Sequence, residues 1–418
     1  MYILFLLAFL IFLVYHNAFS NFFAQDDFVL LQKFSAGGLW TNLIKALTSY
    51  HETHWRPVHN LFFLISGSIF GKNYVLYHIF LFSIHLTTSY LIFLISLQAL
   101  KNRTSAIVSS IIYATHPFNF ISLYWISGGA TELSFMFFLI GFLFWLKNKI
   151  QYFLLFFVIS LLASEAMLVG ILIIIAWELF SGKASMKIRD LKISLFVAAF
   201  FAITRFIFLT PRNTYNVYGV KISLGSISAL KYYLLRTLGF AETNGDLLIS
   251  IVLVVLILTL LFLFIKGFNR NLQNIFFFSS VLVFGLLPFI AIPNHLSPHY
   301  MNISVWAFAS IIGLILSREK RVHYLLVFIF VIVCFFSTEI TQKNNWVVSR
   351  GQLSKKYISQ IEKRNLPAGS TLVFNNNPIS SSLDAYYALG GGDGISFWFR
   401  DKNYKFCFTE FESCGNLP

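Results

Sequence analysis

The stretch YILFLLAFLIFLVYHNAFSNFFAQDDF, residues 2–28, decides how the chain is read. A helix rises 1.5 Å per residue and the hydrocarbon core of a bilayer is ~30 Å thick, so about 20 apolar residues cross it. Residues 2–22 meet that length without one acidic or basic side chain apart from His16, and then the chain turns polar at Ala24-Gln25-Asp26-Asp27. The segment lacks a basic leader, and Asn21-Phe22-Phe23 is no small-residue cleavage site, so it reads as a retained span rather than a removed signal.

Working outward, the same pattern repeats. Of 418 residues, 57% are apolar and 11% charged, with 50 Phe, whereas a soluble domain carries roughly 25% charged residues. A water-soluble enzyme is excluded, and so are disordered and collagen-like chains. Three Cys cannot make a stapling framework. The chain reads as an all-α polytopic membrane protein. Spans are expected near 2–22, 74–100, 104–123, 130–146, 151–163, 166–180, 193–210, 246–265, 274–291, 301–317 and 322–340, eleven in all. Residues 1–340 form the membrane domain and 341–418 a small polar tail.

The net charge of +14 is explained by where it sits. Five short loops hold 13 Lys and Arg: Lys101, Arg103; Lys147, Lys149; Lys183, Lys187, Arg189, Lys192; Lys266, Arg270; Arg318, Lys320, Arg321. Short basic loops stay cytoplasmic. The N-terminus is then cytoplasmic, while the long loops 23–73 and 211–245 and the tail lie outside. The basic balance is topology, not a nucleic-acid surface, and the expected location is the plasma membrane. Residues 59–70 span only ~18 Å as a helix and read as interfacial or re-entrant. The tail is expected to be α+β: a helix near 350–364, a strand at 370–374, and a short helix from Asp384 to Leu389 that stops at Gly390-Gly391-Gly392. Cys407 and Cys414 lie on the oxidising side, where they either pair or remain free thiols; Cys334 lies within a span and packs there.

With 17 carboxylates in the chain, each near the bilayer is a functional candidate. Asp26 and Asp27 are adjacent at the mouth of a membrane cavity, so one pKa should rise, which suits a general base; alternatively they end the helix as a polar flank. His51-Glu52-Thr53-His54-Trp55-Arg56-Pro57 gathers scarce types. Arg56 offers a planar fork to a phosphate, and Trp55 could stack on a sugar or anchor at the interface. His51, Glu52 and His54 could hold a divalent metal, but the spacing matches no closed site and lacks a further ligand, so no metal is expected to be required, with Glu52 and His54 the candidates if one binds. His116 ends the third span, Glu132 opens the fourth where a helix dipole also favours it, and Glu165 separates the fifth and sixth. Arg205 lies inside the seventh, where a buried cation needs a cavity or an anion. His299 and Tyr300 follow a Pro-rich turn. Carboxylates, cations and His on one face fit a substrate with a phosphate, a polar body and a lipid tail.

The order of these pieces resembles a known family: the acidic pair after the first span, Trp55-Arg56-Pro57-Val58, Tyr77-His78 with His85, His116-Pro117, Trp125-Ile126-Ser127-Gly128 with Glu132, Ser164-Glu165, an Arg late in the seventh span, and Leu287-Pro288 before His299-Tyr300. Over roughly residues 20–305 it resembles the C-type (GT-C) membrane glycosyltransferases, in the branch of protein O-mannosyltransferases and their transmembrane, tetratricopeptide-containing relatives. The tail is too short for such repeats. The resemblance implies a polyprenyl-phosphate-sugar donor, transfer on the outer face, and Asp26 as the base with Asp27 beside it. Arg56 and Arg205 would contact the donor phosphate. Ser164 stands where the family has Lys, and Gly129 where it often has Arg, so two cations are missing. The expected reaction is inverting transfer of a sugar to a hydroxyl of a protein, lipid or glycan acceptor. A transporter or flippase of a lipid-linked or anionic solute, and a glycan polymerase or ligase, are the alternatives.

Overall fold

A computed structural model describes residues 2–50, 54–180, 187–209, 219–241, 246–267, 272–317, 323–411 and 414. Glu52, His51 and several of the loop cations (Lys183, Arg270, Arg318, Lys320, Arg321) lie outside the described residues.

The chain runs α1 (Tyr2–Tyr15), α2 (Asp26–Ser35), α3 (Leu39–Thr48), α4 (Pro57–Phe70), α5 (Tyr74–Leu100), α6 (Arg103–Thr115), α7 (Phe120–Tyr124), α8 (Ala130–Leu146), α9 (Ile150–Ala163) and α10 (Gly170–Phe180). It continues with α11 (Ile188–Ile203), α12 (Leu224–Thr237), α13 (Leu247–Gly267), α14 (Leu272–Ile290), α15 (Asn302–Leu316), α16 (His323–Asn344) and α17 (Trp346–Arg364). After these come β1 (Thr371–Phe374), α18 (Ser382–Ala388), α19 (Asp393–Trp398) and β2 (Lys405–Phe408).

A helix covers each of the eleven apolar segments, but they are not equal. Among the described residues six helical stretches are long and apolar enough to cross a bilayer: Tyr2–Ser20, Tyr74–Leu100, Ser127–Leu146, Leu247–Ile265, Leu272–Ile290 and Tyr324–Asn344. A seventh is the pair Arg103–Thr115 and Pro117–Tyr124, bent by 42°. The bend has a local cause: Pro117 disfavours the helical conformation in His116 before it, and the imidazole of His116 accepts the Phe118 N–H. Helices α9 and α15 are apolar but shorter. The chain is thus largely helical with the long apolar helices of a membrane protein, and the number of crossings is a sequence-based expectation.

The first long loop is itself helical. Asp26 and Asp27 sit in the first turn of α2, where the dipole favours them. Pro57 at the first position of α4 costs no hydrogen bond and presets φ. The 14 residues of α4 are too few to span, in line with an interfacial segment. Helices α6 and α15 touch closely because Gly313 has no side chain: a Cβ there would lie 2.4 Å from Ser109 Oγ, the small-residue contact common between membrane helices.

Two apolar clusters organise the molecule. One runs through α5, α6, α8 and α10 to α16, including Phe142, Trp145, Phe277 and Trp306. The other joins α1 and the loop helices to the tail, with Leu7, Phe23, Phe28, Ile358, Phe374 and Phe408 together. In the tail β1 and β2 pair in parallel, Thr371 opposite Lys405, and Cys407 is disulfide-bonded to Cys414. The tail holds helices and two paired strands, and it shares its core with the first helix and loop.

Candidate functional site

The acidic turn is held from both sides. Asp27 is 1% exposed; its carboxylate accepts the Ser127 N–H at 2.7 Å and the Ala24 N–H at 3.1 Å. Burial pushes its pKa up to about 8 against those two donors, and the charge of Asp26 adds to the rise. The raised pKa anticipated for the acid pair thus falls on Asp27, and burial rather than mutual repulsion is its main cause. Asp26 is half-buried and acts electrostatically on His295 and on Arg350.

The residue before it, Gln25, has φ +54° and ψ −118°, an uncommon backbone for a side chain larger than Gly. The tail holds it there. The Gln25 N–H donates to Ala388 O at 3.2 Å, and Arg350 donates to the Gln25 side-chain oxygen. Gly390 leaves room: a Cβ on it would lie 2.6 Å from Gln25 O. Ser354 of α17 donates to Phe23 O at 2.5 Å.

A second cluster surrounds Glu165, which sits between α9 and α10. Arg56 Nε donates to its Oε2 at 3.0 Å, His54 Nδ1 lies 2.6 Å from Oε1, and Arg205 Nη2 lies 3.9 Å from Oε1. Burial would raise the Glu165 pKa, but Arg56 and then His54 outweigh it and hold the carboxyl well below the ordinary range. Arg205 is 4% exposed and sits in a π-helical turn, Thr204–Phe208, that continues α11; its guanidinium carbon lies 5.7 Å from the Phe206 ring centre. Such turns widen a helix locally and are common at functional sites.

These four ionisable residues line one cavity of about 610 Å³, whose remaining wall is largely apolar: Leu168, Val169, Phe289, Ile292 and others, with Tyr300. Tyr300 is stacked on Phe289, ring centres 4.5 Å apart. His295 lies beside this cavity, its ring centre 5.8 Å from that of Tyr300.

The remaining candidates lie elsewhere. Glu132 is buried among α5, α6 and α8, accepting from Tyr113 at 3.0 Å, with His85 Nδ1 at 2.8 Å; it does not line the cavity. His116 is fully buried against Thr237 O at 3.1 Å. His299 contacts Ser297 Oγ at 2.6 Å, and burial lowers its pKa to about 3. Trp55 donates to Leu47 O at 3.0 Å. His54, a candidate metal ligand, is committed to Glu165, and among the described residues no group of three or more metal-ligating side chains is assembled.

Gln25, Arg350 and Tyr113 are not among the residues that the sequence points to. Arg350 is one of many tail cations and carries no local motif. His295 stands in the Pro-rich turn ahead of His299 and Tyr300.

No family model matches the chain, and no curated protein does. Among solved structures it is similar to the archaeal oligosaccharyltransferase AglB from Archaeoglobus fulgidus, solved in complex with an inhibitory peptide and a dolichol-phosphate. The identity is 15% and the TM-score 0.35, over 97% of this chain and 56% of that one. The chain thus spans little more than half of that protein, and a likeness of this degree carries no argument about the site.

Proposed function

We propose that the chain is a GT-C-type glycosyltransferase that moves a sugar from a polyprenyl-phosphate donor to an acceptor hydroxyl on the outer face of the membrane. One observation carries this reading: Arg56 and Arg205 converge on a single cavity with an apolar wall. A diester or monoester phosphate would sit against the two guanidiniums, and the isoprenoid would run along Leu168, Val169 and Phe289. Glu165 then acts as a positioning residue. It fixes the fork of Arg56 and leaves the cluster net positive, since Arg56 and Arg205 outnumber it.

The reaction is a single displacement. Asp26 takes the proton of the acceptor hydroxyl, whose oxygen attacks the anomeric carbon. The bond from that carbon to the phosphate oxygen breaks, and the electron pair leaves with the lipid phosphate. The leaving group is a stable anion, so the Arg pair rather than a strong acid has to absorb its charge. Attack from the face opposite the phosphate inverts the anomeric centre, a geometry comparable to that of inverting glycosidases.

The test is transfer in proteoliposomes. A labelled polyprenyl-phosphate sugar and extracts of lipids, proteins and glycans are incubated with the full chain, and products are read by mass spectrometry. A glycosylated product dependent on the chain supports the reading. Counterflow of labelled solute with no covalent product would replace it with transport.

A further inference from the structure

A second cavity, of about 500 Å³, opens on the tail side of the acidic turn. It is formed by α17 and the chain around α18, with Trp346, Arg350, Lys356, Ser349, Ser380 and Asp384 on its walls. None of these residues belongs to the Arg56–Arg205 cavity. We propose that this groove seats an acidic saccharide, one carrying a carboxylate or phosphate, as the acceptor of the transfer.

The chemistry of the walls fits that class. Arg350 lies between two aromatic rings, its guanidinium carbon 4.8 Å from the ring centres of both Trp346 and Tyr387, and it also donates to Gln25. A guanidinium oriented in this way loses little further entropy on gripping an anion. Lys356 is exposed at the rim, so two cations face the one carboxylate of Asp384. The Ser349 and Ser380 hydroxyls and the Asp384 carboxylate on the same walls suit sugar hydroxyls.

The position fits as well. Arg350 donates to the side chain of Gln25, the residue immediately before Asp26. A saccharide anchored on Arg350 would then lie beside the acidic turn. The term acceptor rests on the function proposed above; the binding itself does not.

Isothermal titration of the full chain in zwitterionic nanodiscs tests the site, with a glucuronate-containing oligosaccharide and a neutral oligosaccharide of equal length as probes. The acidic probe is expected to bind about tenfold tighter or more than the neutral one, and Arg350→Gln to remove most of that difference. Lys356→Gln, at an exposed position that no packing depends on, is expected to weaken the acidic probe by roughly two- to fivefold. Arg56→Gln, in the other cavity, should leave it within about twofold. Equal affinity for both probes, no binding of the acidic one, or unchanged binding in Lys356→Gln overturns the proposal. If the acidic probe binds as expected while no sugar is transferred from any polyprenyl-phosphate donor, the groove stands and the enzymatic reading falls.

Discussion

Asp26 and Asp27 are neighbours in sequence with different surroundings. Asp27 is enclosed and bonded to two backbone N–H groups, whereas Asp26 is only half-buried. Asp26→Asn keeps the shape and removes the base, so transfer should fall by about 10²–10⁴ while donor binding persists; single-turnover transfer beside a binding assay separates the two. His299 supplies a pH prediction. Its folded pKa is lowered to about 3 by burial, below the ordinary ~6.5. Between those values the unfolded chain binds a proton that the folded chain does not. Stability from this residue is complete above about pH 6.5 and is lost as pH falls, by at most roughly 1.4 kcal/mol per unit. Asp27 works in the opposite sense, since its raised pKa makes stability fall as pH rises towards 8. The comparison therefore has to be made between variants: His299→Gln should flatten the acid limb of the thermal midpoint relative to the native chain. At this scale the sequence was legible where a charge was out of place. Arg56, Arg205 and Glu165 were singled out as scarce ions near the bilayer, and they do meet. Glu132 was equally conspicuous, but its partners His85 and Tyr113 come from α5 and α6, and nothing in the local pattern shows that pairing.

Among the elements, two irregular ones matter most. The π-helical turn at Thr204–Phe208 carries Arg205 to the cavity. Arg205→Ala should weaken donor binding by about 1.5–3 kcal/mol, the size of a hydrogen bond to a charged group in a dry site, as read by titration with a donor analogue. Unchanged affinity would remove Arg205 from the site. The turn Gly390–Gly392 is the other. Gly390 has φ +59° and lies against Gln25 O, so Gly390→Ala adds both backbone strain and a clash. It should cost about 1–3 kcal/mol, seen as a lower thermal midpoint, and it should slow transfer by displacing Asp26. Element types were readable from hydropathy because a bilayer demands uniform apolar length. The break at His116-Pro117 was marked by its proline. The π-helical turn left no such mark, since Thr204-Arg205-Phe206 is compatible with an ordinary helix, and only packing around the cavity favours the wider turn.

The whole molecule is knit by the tail. Its buried residues, Ile358, Phe374 and Phe408 among them, share a cluster with Leu7, Phe23 and Phe28. Residues 346–418 expressed alone should lack a complete core and show little protection from trypsin, whereas in the full chain α17 should resist cleavage until the cluster it shares with α1 melts. A tail that folds by itself, with the dispersed amide spectrum of a stable domain, would contradict this. The sequence alone determined that the chain is helical and membrane-embedded and where its scarce charges stand, because hydropathy and length act residue by residue along the chain. It could not place the tail. Which surface the tail covers, and that it clamps Gln25 beside Asp26 and opens a second groove there, depends on contacts between residues some 325 positions apart. Such contacts follow from shape and burial in three dimensions, and no local pattern records them.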